Sequence, residues 1–242
     1  MYIIKLDAID STNTYLKDMV SGILPKDYTV VLADKQTGGR GQMGTKWQAE
    51  TSKNLTASVF KLLPNLKIED QFFISMVVSV AIYKALRVFK IAQLSIKWPN
   101  DILSADKKLC GILIENVIKS NKLQGSIIGF GLNINQKYFE NLPKASSMSL
   151  VTGRLFNKGE VLSEILKQLE IYLSLLEVEK FTDIKLQYEA LLFRKDKPST
   201  FKTDNETFSG IIKGVTNTGQ LKVWTEDAII KTFDLKEVTL LY

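Results

Sequence analysis

Two long apolar runs, Lys108 to Ile118 and Leu123 to Asn133, lie next to each other in the sequence with only Lys119-Ser120-Asn121-Lys122 between them. Neither shows the strict apolar–polar alternation of a strand with one wet face. Long apolar runs rich in β-branched residues mark strands covered on both sides, and a short polar turn joins them into a hairpin. Such a hairpin belongs in the middle of a sheet. The segment from Glu69 to Phe89, apolar almost all round, reads as a long buried helix.

The remaining elements follow from local signals. Tyr28 to Ala33 and Leu55 to Leu63 read as strands, and Leu94 to Trp98 as a strand that stops at Pro99. Asp10-Ser11-Thr12-Asn13 supplies cap residues for a short helix from about Thr14 to Ser21. Asn157-Lys158-Gly159-Glu160 reads as a capping box. It opens a helix whose apolar positions Val161, Leu162, Ile165, Leu166, Leu169, Tyr172 and Leu176 recur at helical spacing. A further helix is expected from about Thr182 to Phe193. After Pro198 the texture changes, and turns at Asp204-Asn205, Asn217-Thr218-Gly219 and Glu226-Asp227 divide Phe201 to Tyr242 into short strands, as in a small β-barrel or meander. The pattern predicts an α+β chain, with a mixed β-sheet and helices over 1–194 and a small all-β domain over 195–242.

A chain of 242 residues has room for one large domain and a small one. Its composition then limits the chemistry. There is no histidine, which excludes Ser-His-Asp and Cys-His machinery and histidine-ligated metal sites. The single cysteine, Cys110, excludes internal disulfides and sits in an apolar run where a buried hydrophobe is expected. What remains is Lys, Arg, carboxylates, backbone N–H groups and Mg²⁺, a set suited to phosphate chemistry. The net charge of +6 points to an anionic partner. The lysines are scattered, with no block of like charge and no basic stripe interleaved with aromatics, so no nucleic-acid surface is expected. No apolar stretch reads as reaching the roughly 20 residues that span a bilayer, and the first residues lack the pattern of a signal peptide. A cytoplasmic protein with no membrane partner is expected.

Four segments carry candidate chemistry. In Gln36-Thr37-Gly38-Gly39-Arg40-Gly41-Gln42-Met43-Gly44-Thr45-Lys46-Trp47, closely spaced glycines let backbone N–H groups approach a phosphate, and Arg40 adds a fork of donors. The loop is neither a Walker A sequence nor a dinucleotide fingerprint. In Lys97-Trp98-Pro99-Asn100-Asp101 the last two residues offer oxygen ligands at a strand end, in a place that a simple Asx turn also explains. Lys107-Lys108 puts an ammonium at the mouth of a buried strand. Gly129 and Gly131 interrupt a strand, which marks a bulge or a close approach to a ligand.

In order and spacing, these segments resemble the successive motifs of biotin protein ligases. The likeness rests on Asp10-Ser11-Thr12-Asn13, the Gly-Arg-Gly loop ending in Trp47, Lys97-Trp98-Pro99-Asn100-Asp101, Lys108-Leu109-x-Gly111-Ile112-Leu113-x-Glu115 and Gly129-x-Gly131-x-Asn133. Ser147-Met148-Ser149-Leu150 continues it, and the C-terminal strands are similar to the family's SH3-like β-barrel. The resemblance implies the class II aminoacyl-tRNA-synthetase-like catalytic fold and a two-step reaction. Biotin is activated by ATP, with Mg²⁺, to biotinyl-5′-AMP, and is then passed to a lysine of a biotin carboxyl carrier protein or domain.

The resemblance also implies residue roles. Ser11, Thr12, Asn13 and Gln36 would hydrogen-bond the ureido ring of biotin. Gly39, Arg40, Gly41 and Gln42, in a ligand-ordered loop, would contact biotin and the adenylate phosphate, with Gly129 and Gly131 beside the biotin. Lys108 would bind the biotin carboxylate and the α-phosphate, and Lys108 and Arg40 form the implied catalytic pair. Trp47 and Leu132 would sandwich adenine, with Asn133 at its edge and Asn100 also on the nucleotide. Asp101 would help to hold Mg²⁺.

Two departures stand out. Gln42 and Thr45 stand where the family often has arginines. The chain also reaches Asp10-Ser11-Thr12-Asn13 within its first dozen residues, so no N-terminal DNA-binding domain is expected, and a monomer or weak homodimer is. Lipoate protein ligases and octanoyltransferases share the fold and form the alternative. The Lys97-Trp98-Pro99-Asn100-Asp101 segment and the Trp47 loop favour biotin.

Overall fold

The computed structural model describes residues 1–242. Its larger layer is a seven-stranded sheet of β1 (Tyr2–Ile9), β2 (Thr29–Gln36), β3 (Leu55–Leu62), β4 (Leu94–Lys97), β5 (Asp101–Ser104), β6 (Lys107–Lys119) and β7 (Lys122–Leu132). The spatial order is β1-β2-β3-β7-β6-β5-β4, with β1 and β2 parallel and the other pairs antiparallel. The β6–β7 hairpin is central, as expected. Lys119 pairs with Lys122, and Ser120 and Asn121 between them have φ of 51° and 55°. Positive φ at both central residues is the two-residue turn that matches strand twist.

The sheet separates two environments by simple alternation. Val59 on β3, Cys110 and Ile112 on β6, and Ile128, Phe130 and Leu132 on β7 join the main core under α2 (Phe72–Val88) and α4 (Lys158–Glu177). Val31, Phe60 and Ile127 face the other way and pack with Leu16 of α1 (Thr12–Gly22). Residues 111, 113, 115, 129 and 131 share that second face, beyond the end of α1. Asn157 Oδ1 accepts from the Gly159 and Glu160 amides and starts α4 as the capping pattern requires.

Two features differ from expectation, and one follows it. Tyr2–Ile9, for which the local pattern marks no element, is an edge strand; most of it is exposed and none of it is fully buried, which weakens its hydrophobic signature. β4 does stop before Pro99, and the chain turns at Trp98-Pro99-Asn100 and returns as β5. Ile68–Val88 is long and apolar enough to cross a bilayer by length and composition, contrary to the expectation that no such stretch exists. It is the core helix, with Phe73, Ile74, Met76, Val77 and Val80 all buried.

Short α3 (Met148–Thr152) follows the sheet, and α5 (Phe181–Ala190) leads to five antiparallel strands: β8 (Pro198–Lys202), β9 (Thr207–Val215), β10 (Leu221–Thr225), β11 (Ile230–Phe233) and β12 (Thr239–Leu241). Their order is β11-β10-β9-β8-β12. The edge strands β11 and β12 each have one partner, so the sheet is open where a closed barrel was expected. Its apolar face is not separate from the first layer. Phe201, Ile212, Val215, Leu221 and Val223 continue the core that holds α2 and the buried Tyr188 of α5. Trp98 Nε1 donates to the Gly219 carbonyl at 2.9 Å and fixes the smaller sheet over the β4–β5 turn.

Candidate active site

A cleft of about 340 Å³ lies on the second face of the large sheet, between the N-terminus of α1, the 37–47 loop, the β4–β5 turn and the C-terminal strands. It brings together Ser11, Thr12, Asn13, Gln36, Arg40, Gly41, Gln42, Trp47, Asn100, Asp101, Lys108, Gly129 and Gly131. Gly39 lies on the adjoining depression outside the loop. Residues the motifs did not point to also line the cleft: Thr56 on β3, and Ile212, Leu221, Leu235, Lys236, Val238 and Leu240 from the C-terminal part.

One end is a hydrogen-bonding box. Ser11 accepts from the Thr14 amide and caps α1, which fixes the two residues that follow it. The Thr12 amide and hydroxyl both donate to Gln36 Oε1, at 2.8 and 3.1 Å. Beneath them the fully buried Ser58 lies 2.7 Å from Thr12 Oγ1 and 2.5 Å from Asn13 Oδ1. Asn13 Nδ2 donates to Glu115 Oε2 at 2.8 Å and to the Leu113 carbonyl at 3.3 Å. Asn13 therefore has both ends of its amide satisfied within the chain, and it braces the box instead of offering a free edge to it. Gln36 Nε2 and the Ser11 hydroxyl proton have no protein partner among these bonds, so the box presents donors beside the Thr12 oxygen.

Cations lie beside and beyond the box. Lys108 Nζ is 2.7 Å from Asp101 Oδ1 and 5.8 Å from the Trp47 ring centroid. Arg40 forms a two-pronged pair with Glu115, at 3.2 and 2.7 Å. Glu115 thus ties the loop to the same carboxylate that holds Asn13. Lys97 lines the cleft half-buried, and burial holds its ammonium below the usual lysine range, with Lys108 and Lys144 pushing the same way and Asp101 opposing. Asn100 is buried and donates to the Ile112 carbonyl, which fixes the turn beside Asp101.

The glycines at 129 and 131 are required by close approach, with no break in the β6–β7 register there. A Cβ on Gly129 would lie 2.1 Å from Asn13 Oδ1, and one on Gly131 would lie 2.2 Å from Trp47 Cε2. The indole thus packs directly against the strand, its Nε1 buried without an acceptor. Leu132 and Asn133 are not brought to the cleft. Alternation turns Leu132 into the main core, fully buried, while Asn133 is 3% exposed, donates to the Ser146 carbonyl, and leaves its Oδ1 without a donor. Two glycine amides of the loop also bond internally, Gly38 to the Asp10 carbonyl and Gly41 to the Thr45 carbonyl at 2.7 Å. Lys236 reaches across from the C-terminal sheet to the Met43 carbonyl at 3.2 Å and holds the loop from outside. Cys110 is fully buried and its thiol is pushed far up by burial, so it is no nucleophile.

No set of three or more acidic, cysteine or histidine side chains is gathered for a metal. Asp101 alone could serve Mg²⁺, in the manner of an ion that keeps its waters and binds mainly through substrate phosphates.

The family model described as biotin/lipoate A/B protein ligases matches residues 6–133. The chain is 30% identical over 236 residues to the bifunctional ligase/repressor BirA of Bacillus subtilis, spanning 96% of this chain and 72% of that one. It is 27% identical over 224 residues to the biotin--[acetyl-CoA-carboxylase] ligase of Paracoccus denitrificans, spanning 88% and 90%. The biotin protein ligase from Aquifex aeolicus in complex with biotin and ATP superposes at a TM-score of 0.81 and 27% identity, over 99% of this chain and 98% of that one. The matched span holds both ends of the cleft, and by it the chain belongs to the biotin/lipoate A/B protein ligase family.

Proposed function

We infer that the chain is a biotin protein ligase, which activates biotin with ATP to biotinyl-5′-AMP and transfers biotin to a lysine of a biotin carboxyl carrier protein or domain. One observation carries the reading: a buried hydrogen-bonding box, with Arg40 held beside it by Glu115, shares one cleft with Lys108 under the Trp47 loop. A ureido ring has the donors and acceptor to complete the box. The dithiolane ring of lipoate has none, and it would leave Gln36 Nε2 and the Ser11 hydroxyl without a partner, at a cost of about 1–3 kcal/mol for a buried group.

In the first step the biotin carboxylate attacks the α-phosphorus of ATP and pyrophosphate leaves. Two anions must meet, and Lys108 and Arg40 offset their repulsion and the charge growing in the transition state. Both cations are paired in the unliganded chain, so the substrate anions take the places of Asp101 and Glu115. Mg²⁺, when bound with the triphosphate, neutralises phosphate charge, and Asp101 is the carboxylate that would hold it. In the second step the acceptor lysine attacks the mixed anhydride and AMP leaves. No histidine base is needed, because the nucleophile of the first step is already ionised.

We assign Trp47 to the adenine. Residues 195–242 correspond to the family's SH3-like module, a reading supported by five antiparallel strands, and they complete the cleft wall. A reaction that consumes ATP and modifies a carrier protein fits a cytoplasmic setting. Competition of unlabelled biotin and lipoate for protection of the loop from proteolysis tests the choice of substrate: biotin protects, and protection by lipoate alone reverses the assignment.

A further inference from the structure

We propose that Tyr242 is a positioning residue for the nucleotide, its ring holding the Lys97 ammonium at the phosphate end of the cleft. The inference rests on reading that end as the ATP site. Lys97 closes β4 and lines the cleft, with no carboxylate within ion-pair distance. Its Nζ lies instead 5.2 Å from the centroid of the Tyr242 ring. Lys144 Nζ approaches the same ring at 4.4 Å, and Phe193, itself in the cleft wall, meets it edge-on at 5.0 Å. Tyr242 does not line the cleft; it acts from behind, through Lys97.

The distinction from the other two cations is chemical. Lys108 and Arg40 rest on carboxylates, and each must break an ion pair to meet an anion. An aromatic face attracts a cation through its quadrupole without neutralising it. Lys97 can therefore accept a phosphate while its support stays in place. Without the ring, only the attraction of Asp101 stands against repulsion from Lys108 and Lys144 and the hydration of the ammonium, and Lys97 is no longer held at the cleft. The residue that prevents this comes from the end of β12, more than a hundred residues from every motif that marks the nucleotide site. The attraction belongs to the ring and not to the hydroxyl, so phenylalanine at 242 should serve.

The test is biotin-dependent pyrophosphate release by the full chain, with ATP and biotin varied separately. Tyr242→Leu is expected to raise the KM for ATP roughly three- to thirtyfold, the range of a partly desolvated cation–π contact, with the KM for biotin nearly constant. Tyr242→Phe should restore the ATP value. In a Lys97→Met background, Tyr242→Leu should add almost nothing. An unmoved ATP KM, equal rises for both substrates, a phenylalanine variant as poor as leucine, or full additivity with Lys97→Met would each overturn the proposal. Failure of the unaltered chain to release pyrophosphate would instead overturn the ligase reading, and this inference with it.

Discussion

Lys108 Nζ lies 2.7 Å from Asp101 Oδ1, so the cation placed between the two reacting anions is already paired before either arrives. Lys108→Ala removes that cation and leaves Asp101 uncompensated beside incoming phosphate. The expected loss of transition-state stabilisation is roughly 2–4 kcal/mol, or about 30- to 900-fold in adenylation rate. Quenched-flow measurement of pyrophosphate release, on protein shown by circular dichroism to be folded, checks it. A rate near that of the unaltered chain would remove Lys108 from the chemistry.

Gly129 and Gly131 lie two residues apart on one strand face, yet they support different ends of the cleft. A Cβ at 129 displaces Asn13, and one at 131 displaces Trp47. Gly129→Ala should therefore raise the KM for biotin, and Gly131→Ala the KM for ATP, each on the order of tenfold or more, since misplacement of about 1 Å has effects of that size. Separate titration of the two substrates distinguishes the variants. Identical profiles would mean that both act only through general distortion of β7.

Gly219 joins the two sheets. It has φ of +98°, and a Cβ there would lie 2.3 Å from the Phe72 ring. Gly219→Ala combines backbone strain with overpacking and should cost roughly 2–4 kcal/mol. Thermal unfolding followed by calorimetry checks the magnitude. Because the core runs continuously between the sheets, a chain ending near Arg194 should lose stability as well as activity; full retention of both half-reactions would reduce the C-terminal sheet to an appendage.

Gln42 lines the cleft without charge, and Thr45 donates its hydroxyl to the Gln42 carbonyl. A charged hydrogen bond contributes about 1 kcal/mol more than a neutral one, roughly fivefold in a dissociation rate. Gln42→Arg should slow release of biotinyl-AMP by about that factor. Stopped-flow displacement measures it. Equal rates in both proteins that diverge once Lys46 is replaced by alanine would assign the missing contact to Lys46, which also lines the cleft.

What was legible in the sequence, and what was not, follows the range of each signal. The β6–β7 hairpin could be read because two covered strands and a turn with an asparagine are local facts. The order of the motifs located most of the cleft for the same reason. Ser58 and Glu115 were not assigned roles, since their bonds join residues 45 and 102 apart and leave no pattern along the chain. Leu132 was expected beside adenine on the family resemblance, but neighbours on a strand face opposite ways, and strand alternation from Gly131 places it in the core. The contact from Lys236 to Met43 spans 193 residues, and with it the C-terminal share of the cleft wall was invisible. The edge strand β1 was missed because a mostly exposed strand with no fully buried residue carries little hydrophobic pattern.

The central claim is that one cleft binds biotin in its hydrogen-bonding box and joins its carboxylate to the α-phosphate of ATP. Incubation of the unaltered protein with biotin, ATP and Mg²⁺, followed by native mass spectrometry and a pyrophosphate assay, tests it most directly. The expected result is pyrophosphate release that requires biotin, with biotinyl-AMP retained on the protein, and no such species when lipoate replaces biotin. Formation of lipoyl-AMP in its place, or ATP turnover indifferent to biotin, would contradict it.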